Sequence, residues 1–170
     1  MSLSKREDID PSTCAEKGNE FTVCSPLNTD IWYNGSTYNF VWNYNQPFYV
    51  PSKSISLYLY YKYNFAYTQI KEWTYMDTSD GEMSSLVDDT WFPDQLPAGS
   101  GNRTWTYFGY LLPADMNATK ELITPSSTYP RPFNFSVVRE VFTSTRSRCF
   151  GFYCSKSNTH KHKPQSNRYQ

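Results

Sequence analysis

The sequence predicts an antiparallel β-sandwich. Three observations lead there. Six or seven short runs alternate apolar and polar residues with a period of two, the mark of a strand with one buried face. Turn and breaker signals separate them, including Asn34-Gly35, Gln46-Pro47, Val50-Pro51 and Asp80-Gly81. Aromatic residues make up 18% of the chain (15 Tyr, 11 Phe and 5 Trp) while Leu, Ile and Val are few, so rings that favour strands must supply much of the core.

The elements follow in order. Residues 1–13 are polar and read as an unstructured N-terminus, and Cys14 to Cys24 brackets a short loop. The strand at about 36–44 carries Tyr38, Phe40, Trp42 and Tyr44 on one side and Thr37, Asn39, Val41 and Asn43 on the other. In the next run, Ser54–Lys62, Ile55, Leu57, Leu59 and Tyr61 point inward and Ser54, Ser56, Tyr58 and Tyr60 outward. A strand at about 67–76 contains Trp73. Asp77–Gly81 reads as a turn, followed by a short strand at 83–88 and a Pro/Gly-rich loop at 91–103. The nearly all-apolar run 104–112 suits a central strand. Residues 113–132 hold four prolines and leave room near 118–123 for a short strand or one helical turn. The last strand, at about 133–142, puts Phe133, Phe135 and Val137 opposite Asn134, Ser136 and Glu140. No convincing helix is expected. The domain spans 14–145, and 146–170 form a basic tail containing cysteines. The spacing of strands suits the immunoglobulin or fibronectin type III kind, with a jelly roll or small barrel as the alternative.

The charge balance is even, 16 basic against 16 acidic residues, so no global field attracts nucleic acid. No apolar run is long enough for a transmembrane helix, and Met1–Ser4 lacks the apolar core of a signal peptide. Even so, four N-glycosylation sequons, at Asn34, Asn102, Asn117 and Asn134, lie in turns, loops or an outward strand face, which points to the secretory pathway. Lys5-Arg6 resembles a Golgi furin/kexin-type processing site. The four cysteines allow three pairings. Two local staples, Cys14–Cys24 and Cys149–Cys154, are favoured over pairings that tie the chain ends together. Both pairs lie outside the main strands, unlike the inter-sheet bridge of antibody domains.

Little here suggests chemistry. Both histidines, His160 and His162, lie in the tail, so a Ser-His-Asp or Cys-His centre has no partner within the domain. Cys149 and Cys154 followed by the two histidines offer zinc ligands at a spacing that matches no standard finger. Asp88, Asp89, Asp94 and Glu72 are the candidate paired carboxylates, but adjacent Asp88 and Asp89 would face opposite ways on a strand. Asp77–Glu82 lacks the ligand spacing of a calcium loop. No cofactor is expected and the chain reads as no enzyme. The aromatic surplus allows a binding platform of Tyr58, Tyr60, Trp91 and Trp105 for sugar rings or a protein partner.

The order Cys14, Cys24-Ser-Pro26, Trp32, Tyr38-Asn-Phe-Val-Trp42, Glu72-Trp73, Asp80-Gly-Glu-Met83, Asp89-Thr-Trp91 and Tyr110-Leu-Leu112 resembles the luminal domain of fungal single-pass Golgi membrane proteins that stabilise the plasma-membrane proton ATPase during transport. A looser similarity is to fungal cell-wall proteins of β-1,6-glucan assembly, which carry an immunoglobulin-like module. The first resemblance covers about residues 14–112 and departs in lacking a membrane span. It implies a glycosylated, disulfide-bonded Golgi-lumen module that steadies a membrane-protein client. The second implies an extracellular module that binds cell-wall polysaccharide. Neither carries over a catalytic residue.

Overall fold

The computed structural model describes residues 9–94 and 100–141. The described chain is mostly β. Its elements are α1 (Pro11–Glu16), β1 (Val23–Ser25), β2 (Ile31–Tyr33), β3 (Thr37–Trp42), β4 (Ser54–Tyr63), β5 (Ala66–Asp77), β6 (Glu82–Leu86), β7 (Arg103–Pro113), α2 (Ala118–Ile123) and β8 (Phe133–Arg139). Two sheets form, a three-stranded one in the order β1-β3-β6 and a five-stranded one in the order β2-β8-β7-β4-β5. All pairings are antiparallel except β2 with β8, where Ile31, Trp32 and Tyr33 align with Ser136, Val137 and Val138.

The sheets share one core. Phe40 and Trp42 from β3 meet Ile55, Leu57, Leu59, Tyr107, Leu111, Phe135 and Val137 from the larger sheet, with Trp32 and Trp91 between them. Most rings meet edge-on or tilted, such as Phe135 against Phe40 at 6.0 Å and Trp73 against Trp91 at 5.9 Å, while Trp32 stacks on Tyr38 at 4.7 Å. Such contacts are stabilising beyond their buried area. Two buried rings find partners for their polar ends, Trp42 Nε1 donating to the Thr78 carbonyl at 2.9 Å and the Tyr107 hydroxyl to the Trp91 carbonyl at 2.7 Å. Gly109 is required where it stands, because Phe133 of β8 lies across it and any Cβ there would enter the ring.

The expected strands form with ends shifted by up to three residues, and several elements differ from expectation. The expected boundary at residue 14 falls inside a helix. Asp10 caps α1 by accepting from Ser12 N at 2.7 Å, with Pro11 in the first turn, a pattern that favours helix initiation. The 118–123 segment is a helix, capped by Asn117. The very short β1 and β2 were not expected; three residues are too few to show a period. The far face of β3 is also buried toward its C-terminal end, though Thr37 is exposed. Val41 packs with the Cys14–Cys24 disulfide, and Asn43 Nδ2 donates to the Gly18 carbonyl at 3.0 Å. The N-terminal segment therefore covers the small sheet from outside.

The outer face of the large sheet has its own cluster, Tyr60, Tyr110 and Leu112 beneath Ala118 and Leu122 of α2, with Tyr58, Tyr67 and Phe108 at its margin.

Candidate interaction surface

The expected four-ring platform does not exist. Trp91 is 0% exposed, at the centre of the core against Trp32, Phe40, Trp73 and Tyr107. Tyr60 is 3% exposed under α2, on the opposite face of the sheet. Trp105 packs from the edge of the inner core, between Tyr61 and the Arg103 guanidinium. Tyr58 stays half-buried at the margin of the outer cluster. The outward assignment of Tyr60 was correct for the sheet face. It failed on exposure because α2 folds back over that face.

Apart from Phe21 (42%) and Tyr75 of β5 (73%), the rings that reach solvent lie near the two ends of β4. At its far end, β4 and β5 meet in a two-residue turn of Asn64 (φ 48°) and Phe65 (φ 66°). Positive φ at both positions marks a type I′ turn, whose second position favours glycine. Phe65 is 99% exposed and Tyr63 66%. Lys62 lies over the rings of Tyr67 (4.6 Å) and Phe108 (4.9 Å). At the near end, the 44–53 loop and α2 expose Val50 (61%) and Ile123 (75%), with exposed Phe48 against Tyr129 at 6.3 Å. Aromatic content alone could not separate these rings from core rings; the unfavourable Phe in a two-residue hairpin turn was the signal available.

The sequon asparagines stand at the surface, and three are tied in the same way. Asn34 Oδ1 accepts from Glu140 N (2.9 Å), Asn102 Oδ1 from Val141 N (3.1 Å) and Asn117 Oδ1 from Lys120 N (2.9 Å). A glycan is carried on Nδ2, which these bonds do not use, although Asn34 Nδ2 also donates to the Glu140 carbonyl at 3.5 Å. Asn134 is exposed on the outer face of β8, opposite Phe108 of β7. Cys14 and Cys24 are bridged, with Cα atoms 5.9 Å apart. Lys5, Arg6, Cys149, Cys154, His160 and His162 lie outside the described residues, as does the tail assigned to 146–170.

The carboxylates singled out earlier have local partners. Asp88 accepts from Thr90 Oγ1 and from Thr90 N, and lies 3.7 Å from Lys71. These bonds, the Thr90 hydroxyl first, hold its pKa below the usual value. Asp89 pairs with Arg139 at 3.1 Å, and Glu72 accepts from Gln69 Nε2 at 3.0 Å. Arg139 also donates to the Asp94 carbonyl at 2.6 Å. An open cleft of about 390 Å³ lies beside this group, lined by Asn34, Val87, Asp89, Arg139 and Glu140 among others. Asp77 is lowered by the Ser79 hydroxyl and amide that it caps, in the turn closed by left-handed Gly81. Tyrosine hydroxyls move the other way. Burial raises Tyr49 and Tyr107 well above 10 and Tyr60 to about 12. Among the described residues, no three His, Cys, Asp or Glu gather as metal ligands, and no helix is long and apolar enough to cross a membrane.

No protein-family model, curated protein or solved structure matches the chain.

Proposed function

We propose that this chain is a non-catalytic interaction module of the secretory pathway, an immunoglobulin- or fibronectin-like sandwich that binds and steadies a membrane-protein client during Golgi export. The observation that carries the reading is the apolar end formed by the 44–53 loop and α2, where Phe48, Val50 and Ile123 stand in solvent beside a well-packed core. Exposed apolar side chains gathered at one end favour a protein interface. The Cys14–Cys24 bridge fits an oxidising lumen, and the surface asparagines leave this end open except at Asn117. From the resemblance, the client is a plasma-membrane proton ATPase.

The test is co-purification of that ATPase from Golgi membranes with the wild-type chain and with a Val50→Asp/Ile123→Asp variant that remains folded. Loss of the ATPase only in the variant is the expected result; equal recovery from both, or none with the wild type, refutes the reading. A β-glucan-binding module in the cell wall is the alternative. It has lost its platform, because Tyr60 and Trp91 are inside the protein.

A further inference from the structure

The β4–β5 turn is built against local preference. Both of its residues hold positive φ: Asn64 suits the first position, but Phe65 occupies the second, where glycine is preferred and a side chain with a Cβ is strained. The second of them is a phenylalanine that is 99% exposed and so gains no packing in return. Strain kept without a folding benefit points to function. From Ser54 to Lys71 the chain carries no carboxylate, and Lys62 is the cation nearest the tip, Lys71 being paired with Asp88. No sequon lies in the hairpin itself; Asn102, at the same end of the sheet beside neighbouring β7, has its Oδ1 held by Val141 N.

We propose that this hairpin tip docks on the interface of a lipid bilayer. Phe65 enters the boundary between headgroups and acyl chains, Tyr63 and Tyr67 lie among the headgroups, and Lys62 meets lipid phosphate. The dimensions agree. Lys62 and Tyr67 pair directly across the hairpin, three and two residues from Phe65. At about 3.3 Å per residue they lie roughly 7–10 Å behind the tip, the depth to which interfacial apolar groups are buried, about 5–10 Å. Aromatic rings beside a lysine are the side chains that favour this zone. A turn two residues wide offers little of the area that a protein interface needs, about 800 Å² per partner, whereas a bilayer requires no matching shape. This holds whether or not the opposite end of β4 binds a client.

The test is sedimentation of the folded chain with protein-free phosphatidylcholine vesicles, alone and with a minor fraction of phosphatidylserine. The wild type is expected to bind both. Phe65→Gly is expected to bind about tenfold less while unfolding at a higher denaturant concentration, since glycine suits the turn. That opposite pair of changes separates a lost contact from a lost fold. Lys62→Ala should lose most where phosphatidylserine is present. A Phe65→Trp side chain should be quenched by lipids brominated in the acyl chain. The proposal is overturned if the wild type binds neither vesicle, which would leave a protein pocket as the occupant, or if Phe65→Gly binds as well as the wild type.

Discussion

Replacing Trp91 separates a core role from a sugar-binding role. Its ring is wholly buried and touches four other rings, from Trp32, Phe40, Trp73 and Tyr107. A tryptophan buries up to about 250 Å², and at about 25 cal/mol/Å² that is roughly 6 kcal/mol of transfer free energy. Compactness of the unfolded chain removes about 10–40% of it, which leaves about 4–5 kcal/mol, within the range of about 3–5 kcal/mol seen for large-to-Ala core changes. The Tyr107 bond goes to the Trp91 backbone carbonyl and is not itself deleted. Trp91→Ala should therefore lower the unfolding free energy by about 4 kcal/mol and the Tm by about 10 °C. Trp91→Phe should cost only about 1 kcal/mol, because it keeps a ring and deletes an indole Nε1 that is buried without a partner. Urea unfolding followed by circular dichroism gives both values. The reasoning fails if Trp91→Ala unfolds like the wild type, above all if it then loses binding to insoluble β-glucan.

Other variants probe the surface and the second cluster. In unglycosylated protein, Asn117→Gln should cost about 1 kcal/mol in urea unfolding, because it deletes the cap of α2; Thr119→Ala removes the same sequon without that cost. Gly109→Ala should destabilise by about 1–3 kcal/mol as Phe133 is forced off the strand, and a thermal-melt double-mutant cycle with Phe133→Ala should be non-additive. Tyr60 and Tyr110 bury hydroxyls with no partner among the described residues, so Phe at either position should leave the melting temperature unchanged or raise it. Asp77 and Asp88 have folded-state pKa values lowered from 3.8 by the hydroxyls and amides that they cap. Their contribution is present above 3.8 and is lost as pH falls through the lowered values. Urea midpoints should drop across that window, and less steeply in Asp77→Asn, since Asn also caps.

The long strands were legible because Ile55, Leu57 and Leu59, or Phe135 and Val137, recur at a period of two over a full strand. The Asp77–Gly81 turn showed in its own residues. What could not be read depended on partners distant in sequence. Val41 and Asn43 alternate as an outer face should, yet α1 and the disulfide cover them. Tyr60 faces out of the sheet, yet α2 lies on it. The parallel pairing of β2 with β8 leaves no mark on three residues. At the surface, the sequons named the asparagines but not their bonds to Glu140, Val141 and Lys120.

The partners of Asn34 and Asn102 have a consequence for biogenesis. Among the described residues β2 pairs only with β8, about a hundred residues later in the chain, and the amides that fasten Asn34 and Asn102 belong to Glu140 and Val141 just past the end of that strand. Until the final strand is made, neither asparagine has the bond that fixes it in the folded domain. Were the chain to enter the secretory lumen as proposed, an oligosaccharyltransferase acting on the incoming polypeptide would meet both side chains loose. Completion of the large sheet would then lock each amide oxygen behind the attached sugar.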